Sequence, residues 1–144
     1  MSAALKQAQL AASCGEVPVG AVLAHAGKII AEAHNLTETN HDATCHAEIL
    51  VIRQASRTLE NWRLADSILV VTLEPCGMCA TAIKLARIPT LVFGIADPRA
   101  GAVGSLYDLS QDSRTGPPPR VISGVRAEEC RELLRSFFEK RRQK

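Results

Sequence analysis

Aromatic residues are scarce in this sequence: they make up only 3% of its 144 residues, whereas 47% are hydrophobic. A core must therefore be built from Ala, Val, Ile and Leu, which is typical of helices packed on sheets. No apolar stretch approaches the ~20 residues that a membrane-spanning helix needs. The alanine-rich start, Met1 to Ser13, has no long apolar run either, so we expect no membrane span and no secretory signal.

A strong excess of one charge is also absent, because 17 basic and 15 acidic residues leave a net charge of +2. This balance alone gives no argument for a nucleic-acid partner. The five cysteines are odd in number, which, without a secretion signal, predicts reduced thiols in a cytoplasmic protein. A chain of this length predicts one domain over 1–144.

Helical and strand patterns alternate along the chain. They predict helices over 2–12, 44–59, 76–87 and 127–144, and strands over 17–24, 28–33, 68–73, 90–94 and 121–123. Thr44 is the predicted N-cap of the second helix. Helices alternating with buried strands predict an α/β fold, a three-layer α/β/α sandwich with a mixed sheet of roughly five strands.

One constellation indicates chemistry: His46-Ala47-Glu48, followed thirty residues later by Pro75-Cys76-Gly77-Met78-Cys79. Cysteines at i and i+3 lie on one helix face, so both sulfurs can reach one zinc ion. The positive end of the helix dipole favours their thiolate form. With His46 as a third ligand, one tetrahedral position stays open, which is typical of a catalytic site.

Glu48 lies two residues after His46, so on a helix its side chain points about 200° away around the axis. We therefore do not expect it to ligate the same ion, although at a helix start it can line the same cavity. A carboxylate in that place suits proton transfer from water to a leaving nitrogen.

Two other interpretations of Cys76 and Cys79 are a redox pair and half of a structural zinc ribbon. A ribbon would usually need a second Cys/His pair, and none follows Cys79. A thioredoxin-like pair would leave His46 and Glu48 unexplained. Cys45 directly precedes His46, and this spacing disfavours shared ligation, while Cys14 and Cys130 are interpreted as small apolar filler.

The pattern His-x-Glu with Pro-Cys-x-x-Cys is the known signature of zinc-dependent base deaminases. Further stretches make the chain resemble the bacterial tRNA-specific adenosine deaminases, a branch of the cytidine-deaminase-like superfamily. These are the runs 15–21, 73–79, 93–94 and 101–105, together with the Phe137-Phe138 to Arg141-Arg142 terminus. The similarity runs nearly from end to end.

The resemblance implies a cytidine-deaminase-like fold, Zn²⁺ as cofactor, and conversion of adenosine to inosine at the wobble position of a tRNA anticodon. It implies that His46, Cys76 and Cys79 hold zinc and that Glu48 is catalytic. Asn35, Asp97, Arg141 and Arg142 match family positions that contact the target nucleotide or its neighbours. The family also implies a homodimer, with the tRNA anticodon stem-loop as partner.

Two alternatives remain at this point. A deaminase of free guanine or of a pyrimidine nucleotide would keep the same catalytic residues, but its carboxyl end should form a substrate lid. A non-catalytic subunit of an RNA-editing heteromer would not need Glu48. The basic terminal helix, 127–144, separates the two enzyme hypotheses, because its cluster of Lys140, Arg141, Arg142 and Lys144 suits phosphate contacts. We expect its apolar stripe, Leu133, Leu134, Phe137 and Phe138, to anchor it to the core.

Overall fold

The computed structural model describes residues 1–143. Its strands are β1 (Gly20–His25), β2 (Lys28–His34), β3 (Ser67–Leu73), β4 (Thr90–Ile95) and β5 (Arg120–Ile122). Its helices are α1 (Ser2–Ser13), α2 (Thr37–Asn40), α3 (Ala47–Leu59), α4 (Gly77–Leu85) and α5 (Ala127–Arg142), with a 3-10 turn at Ser113–Thr115.

The strands form one mixed sheet in the order β2-β1-β3-β4-β5. Strand β1 pairs antiparallel with both of its neighbours, while β3, β4 and β5 run parallel. One edge of the sheet therefore collects the carboxyl ends of β2, β3 and β4 and the amino end of β1. The chain segments that leave the sheet at this edge supply most of the site described below.

Helices cover both faces of the sheet, which confirms the predicted three-layer α/β/α sandwich. Helices α1 and α5 contact each other on one face, and α3 and α4 contact each other on the opposite face. Gly20 shows how closely α1 sits on β1, because a Cβ atom there would lie 2.0 Å from the Ala4 carbonyl oxygen. The core is aliphatic as expected, and Phe93 is the one aromatic residue among its buried members within the described chain.

The predicted start of the second helix was wrong by a few residues. Thr44 does not cap α3; its hydroxyl and its backbone N–H both donate to Asp42 Oδ1, at 2.7 and 2.8 Å. His46 occupies the N-cap position instead, with an extended backbone. The stretch before it, in which no helix was predicted, contains the short helix α2. The Thr44 hydroxyl, which would have capped α3, instead forms a hydrogen bond within a local Asx-type turn at Asp42.

Helix α5 confirms the predicted terminal helix up to Arg142, and Lys144 lies outside the described residues. Fewer side chains of α5 are buried against the core than its apolar stripe predicted. Cys130 is its one buried side chain among the described residues, whereas Phe138 is 40% exposed. Cys14 is exposed, so its interpretation as apolar filler was wrong, while Cys130 is buried as expected. Across residues 1–143, no helix has the length and apolar character needed to cross a membrane.

Candidate active site

Helices α3 and α4 begin side by side at the sheet edge where the carboxyl ends of β2, β3 and β4 meet. His46 is the N-cap residue of α3 and Cys76 the N-cap residue of α4, and both have extended backbones. Cys79 follows in the first turn of α4, buried at its base. The positive ends of two helix dipoles thus point toward one place, where they favour negatively charged groups such as thiolates.

The three predicted ligands come together. His46 Nδ1 lies 3.6 Å from Cys76 Sγ and 3.5 Å from Cys79 Sγ. The three donor atoms all lie within 4.8 Å of one another, and no other such group occurs among residues 1–143. Zinc bonds of about 2.3 Å to sulfur and 2.0–2.1 Å to nitrogen place tetrahedral ligand atoms about 3.6 Å apart. The donor set therefore fits zinc in both chemistry and spacing.

The surroundings of the Cys76 and Cys79 sulfurs favour the binding of a cation. The pKa of Cys76 falls to about 3, first because Cys79 stabilises its thiolate and further because His46 lies beside it. The same interaction, with burial, raises the pKa of Cys79. One of the two sulfurs is therefore ionised at neutral pH, which is the form that binds metal.

Glu48 lies in the first turn of α3, two residues from His46, and is only 4% exposed. Burial raises its pKa to about 7. A carboxyl group whose pKa lies near neutrality can both accept and return a proton, which suits general acid–base chemistry. It does not belong to the group of three possible ligands.

These residues open into a cavity of about 210 Å³. Its lining includes His46, Glu48 and Cys76, together with Asn35 and Thr37 after β2 and Asp97 and Ala100 after β4. Asn35 directly follows β2 and Asp97 follows β4 by two residues. The sheet edge therefore brings two of the four predicted substrate contacts to the cavity.

The other two predicted contacts are not brought there. Arg141 and Arg142 lie at the end of α5, and neither lines the cavity within the described chain. The Arg141 guanidinium lies 5.2 Å from the centre of the Phe137 ring, a cation–π distance. Cys45 also stays away from the ligand group: its thiol donates to Asp42 Oδ2 at 3.4 Å.

Glu74 is a functional residue that the sequence reasoning missed. It is buried, and its carboxylate accepts the backbone N–H groups of Asp97, Val103 and Ser105 at 2.9, 2.9 and 3.1 Å, as well as the Ser105 hydroxyl. A Cβ atom on Gly101 would lie 2.4 Å from the Glu74 carboxyl carbon, so this loop needs glycine there. Glu74 thus holds the loop that carries Asp97.

Glu16 was missed in the same way. Its fully buried carboxylate accepts a hydrogen bond from Asn35 Nδ2 at 3.1 Å. The available signal was similar for both residues, a lone acidic residue beside an apolar run: Glu16 precedes Val17-Pro18-Val19, and Glu74 follows β3.

Comparison with known proteins agrees with this geometry. Residues 1–95 match the family model described as the cytidine and deoxycytidylate deaminase zinc-binding region. The tRNA-specific adenosine deaminase of Bacillus subtilis (strain 168) is 49% identical over 100% of this chain and 89% of its own. That of Haemophilus influenzae is 47% identical over 99% of this chain and 83% of its own.

A solved structure from studies of A-to-I editing by tRNA:A34 deaminases at the wobble position of transfer RNA gives a TM-score of 0.90. It is 45% identical to this chain and covers 93% of it, with 97% of that chain matched. The sheet order, the paired helix starts and the full-length similarity lead to one conclusion: the chain belongs to the zinc-dependent, cytidine-deaminase-like family, in the branch of the tRNA-specific adenosine deaminases.

Proposed function

We propose that this protein deaminates adenosine to inosine by zinc-dependent hydrolysis, acting at the wobble position of a tRNA anticodon. The observation that carries the proposal is that Glu48 lines the same cavity as His46 and Cys76, two members of the three-residue group that could hold a metal ion. The full-length relatives named for tRNA supply the substrate class.

The size of the cavity fits a single flipped base. At about 210 Å³ it is smaller than the ~300–1,000 Å³ typical of pockets for drug-sized ligands. The target base must therefore leave its stack to enter. Anticodon loops offer bases that are already unstacked, and such bases are what RNA-binding proteins recognise most readily.

His46, Cys76 and Cys79 would hold zinc, which would supply Lewis-acid activation of a water molecule. Glu48 accepts a proton from that water as its oxygen bonds to C6 of adenine. Glu48 delivers that proton to N1 and then carries the remaining hydroxyl proton to the 6-amino nitrogen, so that the C6–N bond breaks, ammonia leaves and the oxygen stays as the C6 carbonyl of inosine. Asn35 and Asp97 orient the target nucleotide, and Arg141 and Arg142 contact neighbouring phosphates when the RNA lies across the basic helix.

We further propose a homodimer in a reducing, cytoplasmic setting. Met78, Leu106, Tyr107 and Leu109 are exposed apolar side chains, with Leu106 and Tyr107 each 52% exposed, and Tyr107 and Leu109 lie against Gly77 at the start of α4. We call these four residues the α4 patch. Apolar side chains exposed together are typical of interfaces. All five cysteines are free, and Cys76 and Cys79 must stay reduced to bind metal.

The zinc assignment predicts that Cys79→Ala loses the metal. Three ligands define the site, so removing one should leave less than one zinc per chain after dialysis, measured by mass spectrometry of the metal. Cys45→Ala is the matched control, because Cys45 is also buried and adjacent to His46 but should not be a ligand. Full zinc retention by Cys79→Ala would contradict the assignment.

The wild type should form inosine in an anticodon stem-loop with adenosine at the wobble position, and Glu48→Gln should not. Loss of a general acid–base group lowers the rate by ~10²–10⁴-fold. Zinc content should be unchanged, and the exposed Glu32→Gln should behave as wild type. Free guanine, adenosine and cytidine are assayed in parallel; faster turnover of one of these would favour the alternative enzyme. Metal loss in Glu48→Gln would instead make Glu48 a ligand.

Removing the residues after Glu139 should weaken stem-loop binding and flatten its salt dependence. Each lost phosphate contact should lower the slope of log K against log salt by about one. The triple variant Lys140→Gln, Arg141→Gln, Arg142→Gln keeps the helix length. It therefore separates the effect of losing positive charge from the effect of losing residues that could cover the site. Unchanged kcat/KM in both variants would show that the basic end is only solvated. Loss of free-base activity on truncation alone would indicate a lid.

The α4 patch predicts that Tyr107→Arg shifts the zinc-loaded protein toward monomer in sedimentation velocity. A charge placed in an apolar interface is left without a partner, which opposes association. Leu10→Arg is the control, since Leu10 is 49% exposed but lies on α1 in the other helix layer. A wild type that sediments as a monomer, or a dimer unaffected by Tyr107→Arg, would exclude this surface.

A further inference from the structure

Glu16 is a buried carboxylate that the proposed chemistry does not use. It lies between α1 and β1 and has no exposed surface. Its Oε1 atom accepts the backbone N–H of Thr39 at 2.7 Å, and Oε2 accepts that of Glu38 at 3.2 Å. It therefore holds the start of α2, the segment that follows Asn35.

The amide nitrogen of Asn35 donates into this cluster. Asn35 Nδ2 donates to Glu16 Oε2 at 3.1 Å and to Thr37 Oγ1 at 3.2 Å. The Thr37 hydroxyl donates its own hydrogen to Glu16 Oε2 at 3.5 Å, so its oxygen is left to accept from Asn35. The amide nitrogen of Asn35 is thus turned toward Glu16 and Thr37.

The charge of Glu16 fixes which way the amide faces. An ionised carboxylate only accepts hydrogen bonds, so the amide oxygen of Asn35 cannot take the place of Nδ2 without facing the Glu16 carboxylate oxygen. Burial would raise the pKa of Glu16, but hydrogen bonds from Thr39, Glu38 and Thr37 outweigh it and lower that pKa. Glu16 is therefore ionised at neutral pH.

The amide oxygen of Asn35 points the other way. Among residues 1–143, no donor is paired with Asn35 Oδ1, and no side-chain nitrogen or oxygen is both fully buried and unpartnered. Since Asn35 lines the cavity, Oδ1 is reachable from it. The site thus offers the substrate an acceptor at this position.

We infer that Glu16 is a positioning residue: it holds the Asn35 amide with its oxygen toward the cavity, and this oxygen selects a ribonucleotide by accepting its 2′-hydroxyl. The inference rests on the proposed function, because it takes the target to be an adenosine within an RNA chain. Such a nucleotide has only two strong donors, the 6-amino group and the 2′-hydroxyl. The amino group is the leaving group and must lie near Glu48, which leaves the hydroxyl for Asn35.

A swap of the two side chains tests the orientation. Glu16→Gln removes the constraint on the amide and should lower kcat/KM on the stem-loop ~10-fold, and Asn35→Asp, which sets two carboxylates in contact, ~100-fold. In the double variant, the amide introduced at position 16 can donate to the carboxylate introduced at position 35, which again turns an acceptor toward the cavity. The amide nitrogen that replaces Oε2 cannot accept the Glu38 N–H, so the double variant should not reach wild type. Its kcat/KM should nevertheless exceed that of Asn35→Asp, whereas independent effects would place it ~10-fold below that variant.

Three measurements accompany the cycle: zinc content, thermal unfolding, and hydrogen exchange of the Asn35 side-chain amide by NMR. The amide should exchange slowly in the wild type and faster in Glu16→Gln. Glu32→Gln and Asn61→Asp are the matched controls, because both positions are exposed. Independent, multiplicative losses in the double variant would overturn the inference. So would a Glu16→Gln protein that unfolds earlier but keeps its kcat/KM.

A stem-loop with 2′-deoxyadenosine at the target position identifies the donor. Deoxy substitution should lower kcat/KM ~10-fold in the wild type and have little further effect in Asn35→Ala, because the lost hydrogen bond is the same one. A full deoxy penalty in Asn35→Ala would overturn the assignment to the hydroxyl. If the wild type left every stem-loop adenosine unchanged, the proposed function would fail, and the amide exchange would still decide whether Glu16 fixes Asn35.

Discussion

The site depends on one topological constraint, that a mixed sheet delivers four chain segments to the same edge. Because β3 and β4 are parallel and β1 is antiparallel to β3, the ends of β2, β3 and β4 meet the start of β1. Two helices must start there to continue the chain. Neither α3 nor α4 alone carries a zinc site, but their adjacent starts bring one nitrogen and two sulfurs to tetrahedral spacing.

Two buried carboxylates fix the walls of the cavity that this edge leaves open. Glu74 gathers three backbone N–H groups of one loop, and Glu16 gathers two from the segment around α2. Loops cannot bury their backbone donors without partners, and an acceptor with negative charge satisfies several at once. Each of these segments is thus tied to a buried carboxylate, Glu74 directly after β3 and Glu16 between α1 and β1, and these ties hold the segments that carry the predicted substrate contacts Asp97 and Asn35.

The sequence was sufficient for the layers, the sheet, the three possible ligands and Glu48, because each left a local pattern. Apolar periodicity marked the strands, and the spacing of Cys76 and Cys79 marked a helix start. The N-cap at Thr44 failed because Asp42, two residues earlier, competes for the same hydroxyl. Glu16 and Glu74 were missed because an acidic residue usually lies in solvent, and only the folded loops show what each one binds.

The three buried glutamates around the cavity differ in one property, the partners of their carboxyl oxygens. Glu16 and Glu74 are surrounded by N–H and O–H donors that outweigh burial and lower the pKa of each. Burial dominates at Glu48 and raises its pKa to about 7. Environments that separate pKa values in this way assign different roles to chemically identical side chains. Glu16 and Glu74 remain ionised and hold structure, and Glu48 is left as the one of the three that can exchange a proton near neutral pH.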